Sequence, residues 1–530
     1  MKKFASLLFV ALPAFAAVSC NPVHFFIERG EAVDTDEVVA HGMMVLGRQL
    51  EDPYSVSNIT RALASLYPTR AGEIDVSETD LYVRFLPASQ EQYDKLESLG
   101  VEMLDHPVDF EIIREGDYYH DPSIAAGDIT WQYAVVSPDF DFPEEIRYEV
   151  LDHCHITEHD VFSRSSYDGI DWDAVERESF RLTGNGAMLS GNVAVKSSAA
   201  QPSGRITLID DRFPDTPEPV KGVRVACNVF VKIGQAYTDE DGRYEIGKNF
   251  SVEPRYWLVF KNKKGFGIGL NTILVGGSAS AMGKHSSEGY SLEVSSSSDI
   301  NQYRRCVVNN SAWDYYEHCK TSSGSMPAPP ANLRIWIFPF IASSSAVMMQ
   351  QGAAVDETKI GEYLGDYAFI VKWFLPDVTL GLKDKNDYAS IYASTVHELA
   401  HATHFQQVGT EYWNKYIDYI ITSFVSSGFE TYGSGSGSDA GYCCVSEMWA
   451  YYLETKFYRM RYRDSGAAFG TSWWFCPQIF YYLDDLGLDY YKIARALVKG
   501  IVDRDTLQSK LIALYPEFKT NIMLAFNRYL

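Results

Sequence analysis

The sequence predicts a multidomain α+β protein: an N-terminal α+β module, a central all-β sandwich and a mostly helical C-terminal domain. Three observations carry this. The chain has 530 residues, several times the roughly 100–200 of one domain. Between about residues 204 and 295, short alternating runs are punctuated by Asp-Gly turn signals. Beyond residue 300 the pattern changes to long helical stretches flanked by cap residues. The expected segments are 1–19, a leader; 20–165, the N-terminal module; 190–298, the sandwich; and 300–530, the helical domain.

The leader opens with Lys2 and Lys3, followed by an apolar run from Phe4 to Val18. That run falls short of the about 20 residues a spanning helix needs and fits the core of a signal peptide. Ala17-Val18-Ser19-Cys20 resembles a bacterial lipobox, with Ala17 where Leu is usual. The resemblance implies lipidation of Cys20, which becomes the mature N-terminus. The protein is then tethered to a lipid bilayer of the bacterial cell envelope, expected to be the outer membrane. Asn21 and the lack of an acidic run after it leave the membrane face open.

In the N-terminal module the pattern predicts a helix over Asn58–Leu66, a strand over Leu81–Leu86 and a helix over Gln90–Leu99 stopped by Gly100. Val101–Leu104 and Phe110–Ile113 read as extended. His153, Cys154, His155 and His159 form a local knot of metal-ligating types without paired spacing, and a solvated loop is the simpler reading. Apart from Cys20 the chain carries seven cysteines, an odd number, with Cys306–Cys319 a possible bridge and no CxxC pair.

The sandwich is read from a strand at Gly204–Asp210, a second beginning near Pro219 with Val223 and Val225 alternating, and Thr238-Asp239-Glu240-Asp241-Gly242 turning into a third. These residues resemble the carboxypeptidase regulatory-like family over some ninety residues, which implies a non-catalytic spacer or binder. The Ser- and Gly-rich stretch Gly276–Ser298 is expected to contain mobile loops leading out of the sandwich. Further on, Leu333–Phe338 reads as a buried strand, Asp356–Phe374 as mostly helical and Asp377–Gly381 as a short strand. Tyr388–Gln407 reads as a helix with Asn386 and Asp387 as cap candidates and Gly409 as its stop. Tyr490–Leu530 reads as helical with brief breaks.

Composition narrows the function. Lys+Arg total 46 against 70 Asp+Glu, a net charge of −24. A chain this acidic is unsuited to general binding of nucleic acid, whose phosphates attract Lys and Arg.

The chemistry concentrates in the Tyr388–Gln407 helix as His397-Glu398-Leu399-Ala400-His401. Residues i and i+4 of a helix differ by about 40° in azimuth and about 6 Å in rise, so both imidazoles can converge on one ion. In such a motif the Glu beside the first ligand reaches water at the metal. The flanking Ser394-Thr395-Val396 and Ala402-Thr403 are uncharged, as a buried metal-bearing helix requires.

These residues resemble the zincin metallopeptidases. The metzincin pattern fails: it needs Gly three positions past the second His, where this chain has His404, and no His follows. His404 stands about 10 Å along the axis from His397, too far to share one ion, and suits an outer or packing role. Ser446-Glu447-Met448-Trp449-Ala450, ending at Glu454, resembles the gluzincin segment instead. The resemblance implies Glu447 as third ligand of one Zn2+ and Ala450 as the small residue letting two helices approach. The departure is spacing: 45 residues intervene between His401 and Glu447, which an inserted helix at Tyr412–Val425 and the loop Gly433–Ser438 would explain. Glu411, Glu430 and Asp439 compete for the same role.

The resemblance further implies a peptide or protein substrate and hydrolysis by metal-activated water with Glu398 as general base. It also implies a sheet edge near Asp377–Gly381 that pairs with extended substrate, and an oxyanion donor beyond the third ligand, with Tyr481 and Tyr482 as candidates. Two other expectations stand beside it. One is a non-catalytic outer-membrane lipoprotein that binds glycans or peptides and retains a zincin fold. The other is an inhibitory role for the N-terminal module.

Overall fold

The computed structural model describes residues 42–125, 128–156, 169–189, 200–270, 277–339, 344–353, 377–426 and 432–529. The leader with Cys20, the expected helix at 356–374, His159 and Glu430 lie outside them. The architecture is mixed α+β, sheet-rich in the middle and helical at the C-terminus. Among the described residues no helix is long and apolar enough to cross a membrane.

The N-terminal module contains β1 (Val45–Gln49), α1 (Val56–Leu66), β2 (Asp80–Leu86), α2 (Gln90–Ser98), β3 (Phe110–Arg114), β4 (Gln132–Val136), β5 (Arg147–Cys154) and α3 (Trp172–Leu182). Ser55 caps α1, accepting from Asn58 N at 3.2 Å, so this helix starts earlier than the periodicity suggests. Strand β2 lies between β4 and β5, both antiparallel to it, while β1 pairs with β3. Val101–Leu104 contributes only a bridge from Leu104 to Tyr133.

Alternation along β5 disperses the histidine–cysteine knot. His153 bonds Glu78, His155 Nδ1 meets Ser77 O at 2.7 Å, and Cys154 turns inward to 3.9 Å from Asp52 Oδ2. Burial, helped by Asp152 and Asp109, pushes the Asp52 carboxyl up to about 8 against the Tyr54 N–H that lowers it. A carboxyl raised in the fold contributes stability below its unfolded value near 4 and loses it as pH rises through about 8. Asp52→Asn, which keeps an acceptor for Tyr54, should therefore flatten the fall in stability between pH 4 and 9 by on the order of a few kcal/mol, read from denaturant midpoints across that range.

The sandwich follows as β6 (Ser203–Leu208), β7 (Glu218–Pro219), β8 (Val223–Val229), β9 (Lys232–Tyr237), β10 (Arg243–Glu245), β11 (Arg255–Asn262), β12 (Gly267–Leu270), β13 (Ala279–Lys284) and β14 (Leu292–Val294). Two of these strands, β13 and β14, lie inside the Gly276–Ser298 stretch expected to contain loops, which join and follow them; the strands pair with β11 and β6 despite the Ser/Gly composition. The predicted turn is built as read: Asp239 Oδ1 accepts from Asp241 N at 2.9 Å and Arg243 N at 2.8 Å, and Gly242 takes φ +74°. One sheet holds β6, β7, β10 and β14. The other runs in the order β18-β17-β12-β11-β8-β9, with β13 also on β11, where β17 (Arg334–Phe338) and β18 (Val378–Gly381) come from beyond residue 300. The strands on either side of the boundary expected at 298–300 thus share one sheet, through parallel pairing of β12 with β17.

Between them lie α4 (Ile300–Cys319) and the small hairpin β15 (Lys320–Thr321) and β16 (Gly324–Ser325). The expected Cys306–Cys319 bridge is corrected: all seven cysteines in the described residues are free. Both lie on α4, where thirteen residues span about 20 Å, far beyond disulfide reach.

The large sheet has two different faces. Val223, Val225, Leu258, Phe260, Ile335 and Ile337 join the main core with the C-terminal helices. The alternate residues Ala226, Trp257 and Val259 pack with Met44 of the N-terminal module. That side is also joined by charge. Asp94, Glu97 and Glu102 of the module pair with Arg334, Lys261 and Arg224, and Glu115 and Asp117 pair with Arg255 and with Arg305 of α4. Through these contacts the module covers the sheet face that carries Trp257 and Val259, while its Tyr54 and Phe180 join the main core.

The C-terminal helices are α5 (Tyr388–Ser426), α6 (Ala440–Tyr462), α7 (Gln478–Asp485), α8 (Tyr490–Ala494), α9 (Arg504–Leu514) and α10 (Lys519–Arg528). Gly409, at φ +76° and ψ 178°, breaks α5 into two helical pieces where the sequence places a stop and a second helix. Only glycine occupies that φ readily.

Candidate metal centre

The site is built where α5 lies against α6. Asp387, the expected cap, accepts from Ser390 N at 3.0 Å and starts α5 after a short loop from β18. About two and a half turns further, His397 and His401 project from the same face. Ala400 and Ala450 are fully buried between the helices, and their small side chains allow close approach. From α6, Glu447 enters between the two rings: its Oε2 is 3.6 Å from His397 Nε2 and its Oε1 is 3.5 Å from His401 Nε2. One donor atom from each residue lies within 4.8 Å of the others.

This is a possible metal-binding group, and the residues fit a small divalent cation. Tetrahedral bonds of about 2 Å set ligand atoms about 3.3 Å apart, close to the separations seen. His397 Nε2 is buried without a hydrogen-bond partner among the described residues. Charge points the same way. Burial opposes a charged ring at His397, yet the Glu447 and Glu454 carboxylates prevail and lift it to about 10. Burial would likewise raise Glu447, but His401 and His397 hold it well below the usual carboxylate range. The pocket thus draws positive charge to its centre.

The general-base candidate Glu398 is 1% exposed, and its Oε2 has no hydrogen-bond partner among the described residues. Burial lifts its carboxyl to about 8, with His397 pulling down and Glu447 pushing up.

Three supporting side chains carry no sequence signal strong enough to assign their roles. Glu454 Oε2 meets His397 Nδ1 at 2.9 Å, Ser446 Oγ meets His401 Nδ1 at 3.0 Å, and the Tyr416 hydroxyl donates to Glu447 Oε1 at 2.7 Å. Glu454 and Ser446 flank the motif, so their proximity was readable but not their partners. Tyr416 comes from the α5 piece beyond Gly409, so the inserted chain contributes to the centre as well as lengthening the spacing. Such partners orient ligating rings. Replacing Glu454 by Ala should weaken metal affinity about 10–100-fold, measured by chelator competition.

Lys385, on the loop after β18, donates to Ser394 Oγ at 2.6 Å one turn before the motif. Arg304 of α4 holds that loop through Leu382 O at 2.8 Å and Lys385 O at 3.3 Å.

The other candidates separate from the site. Glu411 is exposed and pairs with Lys499 at 2.9 Å, and Asp439 sits at the start of α6. The Tyr481 hydroxyl bonds Phe469 O at 2.6 Å and Thr455 Oγ1 at 2.9 Å, a packing role, and Tyr482 lies by Arg528. The expected substrate-pairing edge at β18 is corrected. Ser345 exchanges both backbone hydrogen bonds with Thr379, at 2.9 and 2.7 Å, Met348 N bonds Asp377 O at 2.9 Å, and the Ser344 hydroxyl takes Gly381 N at 3.2 Å. The outer edge of the strand is already occupied. No protein-family model, curated protein or solved structure matches the chain.

Proposed function

We propose that the protein is a zinc-dependent peptidase of the gluzincin type, anchored to the bacterial cell envelope by a lipid on Cys20. The observation that carries this reading is the convergence of His397, His401 and Glu447, with Glu398 on the turn between the two histidines. Two imidazoles and a carboxylate are the donor set of hydrolytic zinc sites, which keep a further position for water. Zinc held there supplies a Lewis acid that makes water acidic near neutral pH. Glu398 takes the proton and returns it to the leaving amine. Glu454 and Ser446 hold the rings, and Tyr416 holds the carboxylate.

The test is metal analysis of the purified protein beside a chelator-sensitive cleavage profile on a peptide library. About one zinc per chain with cleavage supports the reading, and protein without bound metal refutes it. The burial of all four side chains, none more than 3% exposed, favours a second reading. In it the chain is a non-catalytic outer-membrane lipoprotein that binds glycans or peptides. Zinc without cleavage would select it.

A further inference from the structure

We infer that His404 is a positioning residue of the metal centre, acting through the Ser446 hydroxyl on the ring of His401. The inference rests on the reading of His397, His401 and Glu447 as a metal site. The geometry is a short chain of polar atoms: His401 Nδ1 lies 3.0 Å from Ser446 Oγ, and the same oxygen lies 3.3 Å from His404 Nδ1. All three side chains are fully buried.

Hydrogen counting fixes the direction. A ring that gives Nε2 to a metal carries its proton on Nδ1. His401 then donates to Ser446 Oγ, and the hydroxyl has one proton left to give. Its second neighbour is His404 Nδ1, which takes that proton when the ring is neutral and carries its own hydrogen on Nε2. The surroundings agree. His404 packs edge to face against Tyr412, with centroids 5.1 Å apart and planes at 68°, and against Trp413 at 6.0 Å. Burial in that aromatic pocket, with His401 adding to it, holds the imidazole neutral, down at about 3. His404 Nε2 has no hydrogen-bond partner among the described residues, so the ring keeps an unmet polar atom in the core. Such an atom lowers stability, and an apolar side chain there would not. Acceptance from Ser446 is the contact that accounts for a histidine at this position.

The experiment uses the full chain and measures Zn2+ affinity by chelator competition, together with the visible spectrum of the Co2+-substituted protein. His404→Leu should weaken zinc binding about 10–100-fold and alter the cobalt spectrum. The metal-free melting temperature should hold or rise. His404→Asn, which keeps an acceptor near the Nδ1 position, should restore most of the affinity. Ser446→Ala gives the independent arm: its loss should match that of His404→Leu, and the double variant should lose no more than Ser446→Ala alone. Unchanged affinity and spectrum in His404→Leu would overturn the proposal, as would fully additive losses. A His404→Leu chain that does not fold would also count against it, because the ring would then be structural. Wild-type protein that binds neither zinc nor cobalt would overturn the reading of the site itself, a result distinct from any of these.

Discussion

Glu398→Gln should leave about one zinc bound per chain and lower kcat/KM for peptide cleavage by about 10²–10⁴-fold. Glutamine matches glutamate in shape, so the buried packing around the side chain is preserved. What is lost is the ability to accept a proton. Metal should stay because the converging donors are His397, His401 and Glu447, and Glu398 is not among them. The two nearby acids are engaged elsewhere, Glu447 between the two histidine rings and Glu454 on His397 Nδ1. Undiminished cleavage by the variant would remove Glu398 from the mechanism. Loss of zinc together with activity would show that it serves the metal instead.

Glu447→Ala carries the second large effect. It withdraws the carboxylate that faces both rings and to which the buried Tyr416 hydroxyl donates. Zinc affinity should fall by more than the roughly 10–100-fold expected for an outer partner such as Glu454. Retention of stoichiometric zinc after extensive dialysis would refute the assignment. The same substitution has a metal-free signature. The carboxylates lift His397 from its ordinary 6.5 to about 10 against burial. A base raised in this way contributes stability that is complete below about 6.5 and disappears as pH rises through about 10. Chelator-treated wild type should therefore lose melting temperature over that interval, and Glu447→Ala should lose less of it.

Much of this arrangement was legible in the residues, for physical reasons. The spacing of His397 and His401 encodes convergence because helix geometry is local and periodic. The break at Gly409 and the cap at Asp387 were readable because each expresses a backbone preference of one residue. The turn at Asp239–Gly242 was readable on the same grounds. The remainder depended on contacts between distant segments. Tyr416 reaches Glu447 only because the chain turns back after Gly409. Ser345 takes the edge of β18 through backbone atoms, which every residue has, so no side-chain pattern announces it. The Ser/Gly-rich stretch forms β13 and β14 because β11 and β6 offer hydrogen-bonding partners that composition does not reveal. The cysteines of α4 suggested a bridge until their common helix fixed their separation.

The parallel pairing of β12 with β17 bears on how the protein can be divided. A fragment beginning near residue 300 would keep the helices of the candidate metal centre but strip β17 of one neighbour, leaving backbone groups along Arg334–Phe338 unpaired. An interior strand turned into a bare apolar border invites self-association. The helical part and the sheet before it thus share one hydrogen-bonded unit, and a fragment meant to keep the helices would have to carry β12 along with them.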